Sequence, residues 1–158
     1  MSCIETVPHG SEPSGSVSAQ IARHCLLTRT RQIARVLTAL YDEALRPLSI
    51  NASQLSLLVL VAEFGPLSRA ALGRKNHHDR TTLTRNLQPL IAHGWVSDGQ
   101  PGGDGRSRAL SVTQAGGALL HTAGPAWTSA QQRAASVLGL EGASALMNIA
   151  ADLPPATI

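Results

Sequence analysis

Apolar residues recur at helical spacing along most of the chain and alternate in one short stretch. Ile21 to Leu45 reads as a long helix, with Ile33, Leu37, Leu40 and Ala44 at steps of four, three and four building one stripe. Arg31, Arg35, Asp42 and Arg46 lie mostly off that stripe; Asp42 and Arg46 are spaced to pair one turn apart, and Pro47 ends the helix. A second helix starts after Asn51, because Asn51-Ala52-Ser53-Gln54 is a variant capping box with Ile50 and Leu55 placed as a hydrophobic staple. Leu55, Leu58, Val59 and Ala62 are its predicted buried face, and Gly65-Pro66 its stop. A short third helix, about Ser68 to Arg74, leads into the polar turn Lys75-Asn76-His77-His78. Asp79 caps a fourth helix that runs to about His93 and is closed by Gly94, with Leu83, Leu87, Leu90 and Ile91 as its buried stripe. Trp95-Val96, and Leu110 and Val112 alternating with Ala109 and Ser111, read as a two-stranded hairpin. Thr113 caps a fifth helix carrying Leu119, Leu120, Ala123, Trp127 and Ala130 and kinked at Gly124-Pro125; a last helix, about Gly142 to Ala151, adds Leu146, Ile149 and Ala150.

Composition agrees with packed helices: 43% of the 158 residues are hydrophobic but only 3% aromatic, so the core is built of Ala, Leu, Val and Ile. Residues 1–18, rich in Ser, Gly, Pro and Glu, read as a disordered leader, and residues 154–158 as a tail. Between them the pattern divides into a helix region at 19–50, a helical and hairpin region at 51–112 and further helices at 113–153. No apolar run approaches the ~20 residues that span a bilayer, and no secretory signal opens the chain. Two cysteines, Cys3 and Cys25, make no disulfide framework, so a cytoplasmic location without membrane contact is expected.

Charge is where the chemistry concentrates. The net charge is only +3, yet between Leu67 and Val112 seven basic residues face three acidic ones, a local excess of four. Lys75 is the single lysine among the 13 basic residues; the rest carry the guanidinium fork that suits phosphates and guanine edges. On the fourth helix Thr81, Thr84, Arg85 and Gln88 fall at i, i+3, i+4 and i+7, on a different face from the leucines. All four are hydrogen-bonding residues of the kind that reach base edges or phosphates, and Arg80 stands beside them near the helix N-terminus. The hairpin tip, Gln100 to Arg106, is glycine-rich and presents Arg106 and Arg108, with Asp104 placed to hold Arg106. No nucleophile–base pair, phosphate loop or metal motif is present, so an enzyme is not expected and no cofactor is implied.

The runs Leu67-Ser68-Arg69-Ala70-Ala71-Leu72, Asp79 to Leu87 and Leu90-Ile91-Ala92-His93-Gly94-Trp95-Val96 together resemble the helix-turn-helix of the MarR family of winged-helix regulators. Asp104-Gly105-Arg106-Ser107-Arg108, followed by Val112-Thr113-Gln114-Ala115-Gly116, is similar to that family's wing and the helix after it. The resemblance covers about Cys25 to Ile149. It implies a mainly α fold with a small β-hairpin wing: a winged helix-turn-helix plus a helical dimerisation region. It also implies an obligate homodimer that places two recognition helices in successive major grooves of double-stranded DNA, at half-sites ~10 bp apart. A small-molecule or oxidant effector would then release the operator by preferring the non-binding conformation. Pro89 inside the recognition helix and the glycines of the wing depart from the pattern, and a bend at Pro89 is expected.

Four residues are candidates for the effector end. Cys25 lies 11 residues before Val36, on the same face if the first helix is continuous, and reads either as a small buried hydrophobe or as an oxidant sensor. The organic-peroxide-sensing branch of the family carries its reactive cysteine near this point, but the Phe and Tyr that follow it are replaced here by Leu26, Leu27, Thr28 and Arg29. Arg29 is placed to lower the thiol pKa, and Cys3 to act as a resolving partner. Trp127 could line a pocket for a flat phenolic effector, with Arg31 or Arg35 as its cation, whereas Trp95 reads as core. The histidines, His77 and His78 included, lack the i, i+4 spacing of a helical ligand pair, so no metal site is expected. The function expected is a sequence-specific DNA-binding transcriptional regulator of the repressor type, the alternative being a winged-helix protein-interaction module.

Overall fold

In a computed structural model of the chain, residues 16–99 and 109–154 are described. Helix α1 (Val17–His24) is followed by α2 (Leu26–Leu45), a 3-10 turn (Arg46–Leu48), α3 (Ala52–Phe64), α4 (Arg69–Lys75) and α5 (Arg80–Ala92). Strands β1 (Val96–Gly99) and β2 (Ala109–Val112) and helix α6 (Gln114–Ala151) complete the order. The chain divides into two compact units, residues 1–36 and 37–158. In the first, α1 and α2 are separate: Cys25 takes an extended conformation (φ −71°, ψ 111°) where one long helix from Ile21 was expected. The break removes the premise that Cys25 shares a helical face with Val36.

The core lies in the second unit. Leu45, Leu57, Leu58, Leu72, Leu87, Leu90 and Leu110 are fully buried, each contributing about 1.5–3 kcal/mol by leaving water. Helix α3 touches α4, α5, α6 and β2. Its cap is the expected one: Asn51 Oδ1 accepts from the Gln54 N–H at 2.9 Å, and Gln54 Oε1 accepts from the Asn51 N–H at 3.1 Å. Its buried face is not. Leu55 and Leu58 are buried together with Leu57 and Val61, while Val59 and Ala62 are exposed. The helix is apolar almost all round, so periodicity could not choose between faces, and packing on several neighbours did. Asp42 likewise bonds the Ala52 N–H at 2.7 Å, satisfying the start of α3 rather than pairing with Arg46.

The hairpin pairs Val96 with Val112 and Gly99 with Ala109, antiparallel. Leu67 adds a bridge to Leu110, with N–H···O distances of 2.9 and 3.2 Å, which ties the entry to α4 onto the hairpin. Thr113 Oγ1 accepts from the Gly116 N–H at 3.0 Å and donates to the Gly94 carbonyl at 2.6 Å, fixing the start of α6 beside the end of α5. A side chain at Gly116 would run into the Trp95 carbonyl and come within 2.9 Å of Val112 Cγ2, so only glycine permits this approach.

Helix α6 corrects two expectations. Its break falls at Gly139 (φ 71°, ψ 164°), a positive-φ conformation that glycine adopts without strain, and the helix passes Gly124-Pro125. It is also long and apolar enough to cross a membrane by length and composition, with an 18-residue window of mean hydropathy 1.3, although no such run was expected. Its small residues Gly116, Ala123, Ala130 and Ala134 are instead buried, and it packs on α3 and β2. Trp127, Val137, Leu140, Met147 and Ile149 are exposed on this single chain.

Candidate nucleic-acid interface

Helices α4 and α5 pack at a tight polar turn. Ser68 caps α4 through the Ala71 N–H at 3.2 Å, and the turn closes with the His78 N–H on the Gly73 carbonyl at 3.0 Å. Asp79 then caps α5: Oδ1 accepts from the Thr82 N–H at 2.9 Å and Oδ2 from the Thr82 hydroxyl at 2.7 Å. Those two bonds, the backbone one first, hold its carboxyl below the ordinary carboxylate range. Leu83, Leu87 and Leu90 point into the core, and helical geometry turns Thr81, Thr84, Arg85 and Gln88 outward, all exposed, as is Arg80. The Thr84 hydroxyl donates to the Arg80 carbonyl at 2.8 Å, which leaves its lone pairs outward. Pro89 does not end the helix, which continues to Ala92.

Between α4 and α5 lies a cleft of about 570 Å³ whose charged and polar lining is Arg69, Arg74, His78, Arg80 and Thr84. Arg69 is held by Asp98 of β1 at 2.6 Å, so the same guanidinium faces the cleft and braces the hairpin root. Burial and the Arg85 charge lower the His78 pKa, partly offset by Asp79, so its ring is neutral at pH 7. Sequence reading counted Arg69 and Arg74 as charge but did not assign them to the site. Periodicity gives no warning, since residues five apart on a helix are about 140° apart and only the neighbouring helix brings them to one cleft. Arg106 and Arg108, with Asp104 and Cys3, lie outside the described residues.

The sequence model of the MarR family matches residues 48–107, the span from the 3-10 turn through the hairpin. The solved structure of the transcriptional regulator MosR of M. tuberculosis is 31% identical and superposes with a TM-score of 0.65, covering 82% of this chain and 97% of that one. The chain belongs to the MarR family. Among curated proteins this MarR-family chain is similar to the uncharacterized HTH-type transcriptional regulator YwoH of Bacillus subtilis (strain 168), 29% identical over 94 residues, which are 60% of this chain and 67% of YwoH. It shares its fold with a mutant MarR from E. coli, solved in complex with operator DNA: 22% identity, TM-score 0.71, 85% of this chain and 98% of that one. The fold is a winged helix-turn-helix of a transcriptional regulator, with α4 and α5 as the helix-turn-helix and β1–β2 as the wing.

The candidate effector residues of the MarR-family chain are scattered. Cys25 is half-buried between α1 and α2, and the Thr28 hydroxyl and Thr28 N–H hold its thiol below the ordinary value. Arg29 instead bonds Gln32 Oε1 at 3.1 Å and the Ala22 carbonyl at 3.0 Å. Arg31 and Arg35 are exposed. Trp127 does line a cavity, of about 500 Å³, with Tyr41, Leu55, Val59, Lys75 and Asn76 among its other walls. The Tyr41 hydroxyl donates to Gln131 Oε1 at its edge. Lys75 is the cavity's only charged residue among the described ones, and Arg31 and Arg35 do not line it. Trp95 packs against the core and stacks on His93 at 4.4 Å, as a core residue would.

Proposed function

We propose that this protein is a homodimeric repressor that reads a pseudo-palindromic operator with α5 and lets go when a small molecule or oxidant acts on it. The observation that carries the reading is the exposed set Thr81, Thr84, Arg85 and Gln88, held rigid by a capped helix whose opposite face is buried leucine. Arg80, Arg74 and the cleft they line supply phosphate contacts, and Arg106 and Arg108 of the wing reach an adjacent minor groove. The operator complex of E. coli MarR, which shares this fold, supports the same docking here. The exposed apolar side chains of α1, α2 and α6, Leu26, Ile33, Val137 and Leu140 among them, are the surface a second copy covers, with residues 19–50 and 113–153 as the dimerisation region. Trp127 and its cavity hold a flat effector with an anionic group.

The test is selection of duplexes from a random pool, followed by anisotropy titration. Log K should fall linearly with log salt, and Arg85→Ala should cost about 1–3 kcal/mol of discrimination between the selected and a scrambled duplex. No complex at any salt concentration would favour a winged helix that binds protein instead.

The low thiol pKa and partial exposure of Cys25 support an oxidant as one effector. Peroxide should then release the selected duplex from the native protein and leave Cys25→Ser bound; equal release from both removes Cys25 from the mechanism.

A further inference from the structure

One short turn touches both the effector cavity and the DNA-facing cleft. Lys75, the last residue of α4, and Asn76, its C-cap, line the cavity. The Asn76 amide lies 3.2 Å from His78 Nδ1, and His78 lines the cleft with Arg69, Arg74, Arg80 and Thr84. The cavity joins the rings of Tyr41 and Trp127 to aliphatic walls, with Lys75 as the charge and Thr38, Ser56 and Asn76 as further polar groups. That chemistry selects an aromatic body bearing one anionic group, within the size range of small-molecule sites. Lys75 is not committed to a carboxylate: its Nζ sits over the Phe64 ring, 3.9 Å from the centroid, and the ion pairs among the described residues are Arg69–Asp98 and Arg133–Glu43. An exposed cation–π contact is weaker than a charge-assisted hydrogen bond, so an anion in the cavity draws Lys75 off Phe64.

We propose that Lys75 is the anion sensor of this cavity and that the Lys75–His78 turn relays its occupancy to the recognition-helix cleft. The proposal rests on the cavity being the effector site. Drawing Lys75 inward displaces Asn76, which then no longer holds the His78 ring in place against the cleft. The occupied state therefore binds DNA less well, and by linkage DNA weakens the anion by the same factor.

The test titrates full-length protein by calorimetry with 2-naphthoate and its neutral amide, 2-naphthamide, and repeats the DNA titration with and without naphthoate. Native protein should bind naphthoate about tenfold more tightly than the amide, and Lys75→Met should erase that preference while Lys75→Arg keeps it. Naphthoate should weaken the native complex with its selected duplex about fivefold or more. His78→Leu should bind naphthoate as the native protein does yet lose that coupling, read as a ratio so that its own effect on DNA affinity cancels. If Lys75→Met keeps the preference while Trp127→Ala binds naphthoate more weakly, the cavity stands and the sensor role of Lys75 falls. If native protein binds neither probe, or both variants bind as native, the cavity reading falls and takes the proposal with it. Coupling retained in His78→Leu overturns the relay.

Discussion

Asp79 shows how one side chain can set both the geometry and the pH response of a helix. Its carboxylate satisfies the Thr82 N–H and hydroxyl at the start of α5, and these bonds favour the charged form. A carboxyl whose folded pKa is depressed gives stability that is complete above its unfolded pKa and lost as pH falls through the folded value. Asp79→Asn keeps an acceptor at the cap but removes the titration. Urea midpoints should therefore be close to native at neutral pH and fall less than native in acid; equal acid sensitivity would place the titration elsewhere. The caps at Asn51, Ser68, Asp79 and Thr113 were legible because donor and acceptor lie within three residues of one another. Asp42 was not, because its partner is ten residues away on another helix, and the Cys25 break was not, because nothing in the local sequence forbids a helix there.

At the scale of elements, the amphipathic α5 was read correctly and the uniformly apolar α3 was not. Alternation between polar and apolar faces is information, and α3 carries almost none. Its buried Leu57 should be more costly to truncate than the exposed Val59: about 2–5 kcal/mol for Leu57→Ala, against well under 1 kcal/mol for Val59→Ala, measured by chemical denaturation. Helix α6 gives a second contrast. Gly116→Ala forces a methyl against the Trp95 carbonyl and Val112, whereas a Cβ at Gly139 meets nothing within 4 Å and suffers only the positive φ. Gly116→Ala should cost about 3 kcal/mol and Gly139→Ala about 1–2 kcal/mol by the same measurement. Reversal of that order would mean that the hairpin and α6 yield more readily than their contact implies.

At the scale of the whole molecule, the exposed apolar side chains of α1, α2 and α6 stand beside a well-filled core in residues 37–158. If a second copy covers them, folding and association are one equilibrium, and the melting temperature should rise with protein concentration. A concentration-independent melting curve, with a monomer in sedimentation, would remove the dimer.

By itself the sequence determined the order of elements, the caps, the outward face of α5 and the hairpin, because each depends on neighbours within one or two helical turns. The tertiary structure alone decided which side of α3 is buried, where α6 breaks, which arginines share a cleft with the recognition helix, and that Lys75 rather than Arg31 or Arg35 reaches the cavity. Those outcomes depend on contacts between residues far apart in the chain, where packing volume and the approach of a second element outweigh local preference.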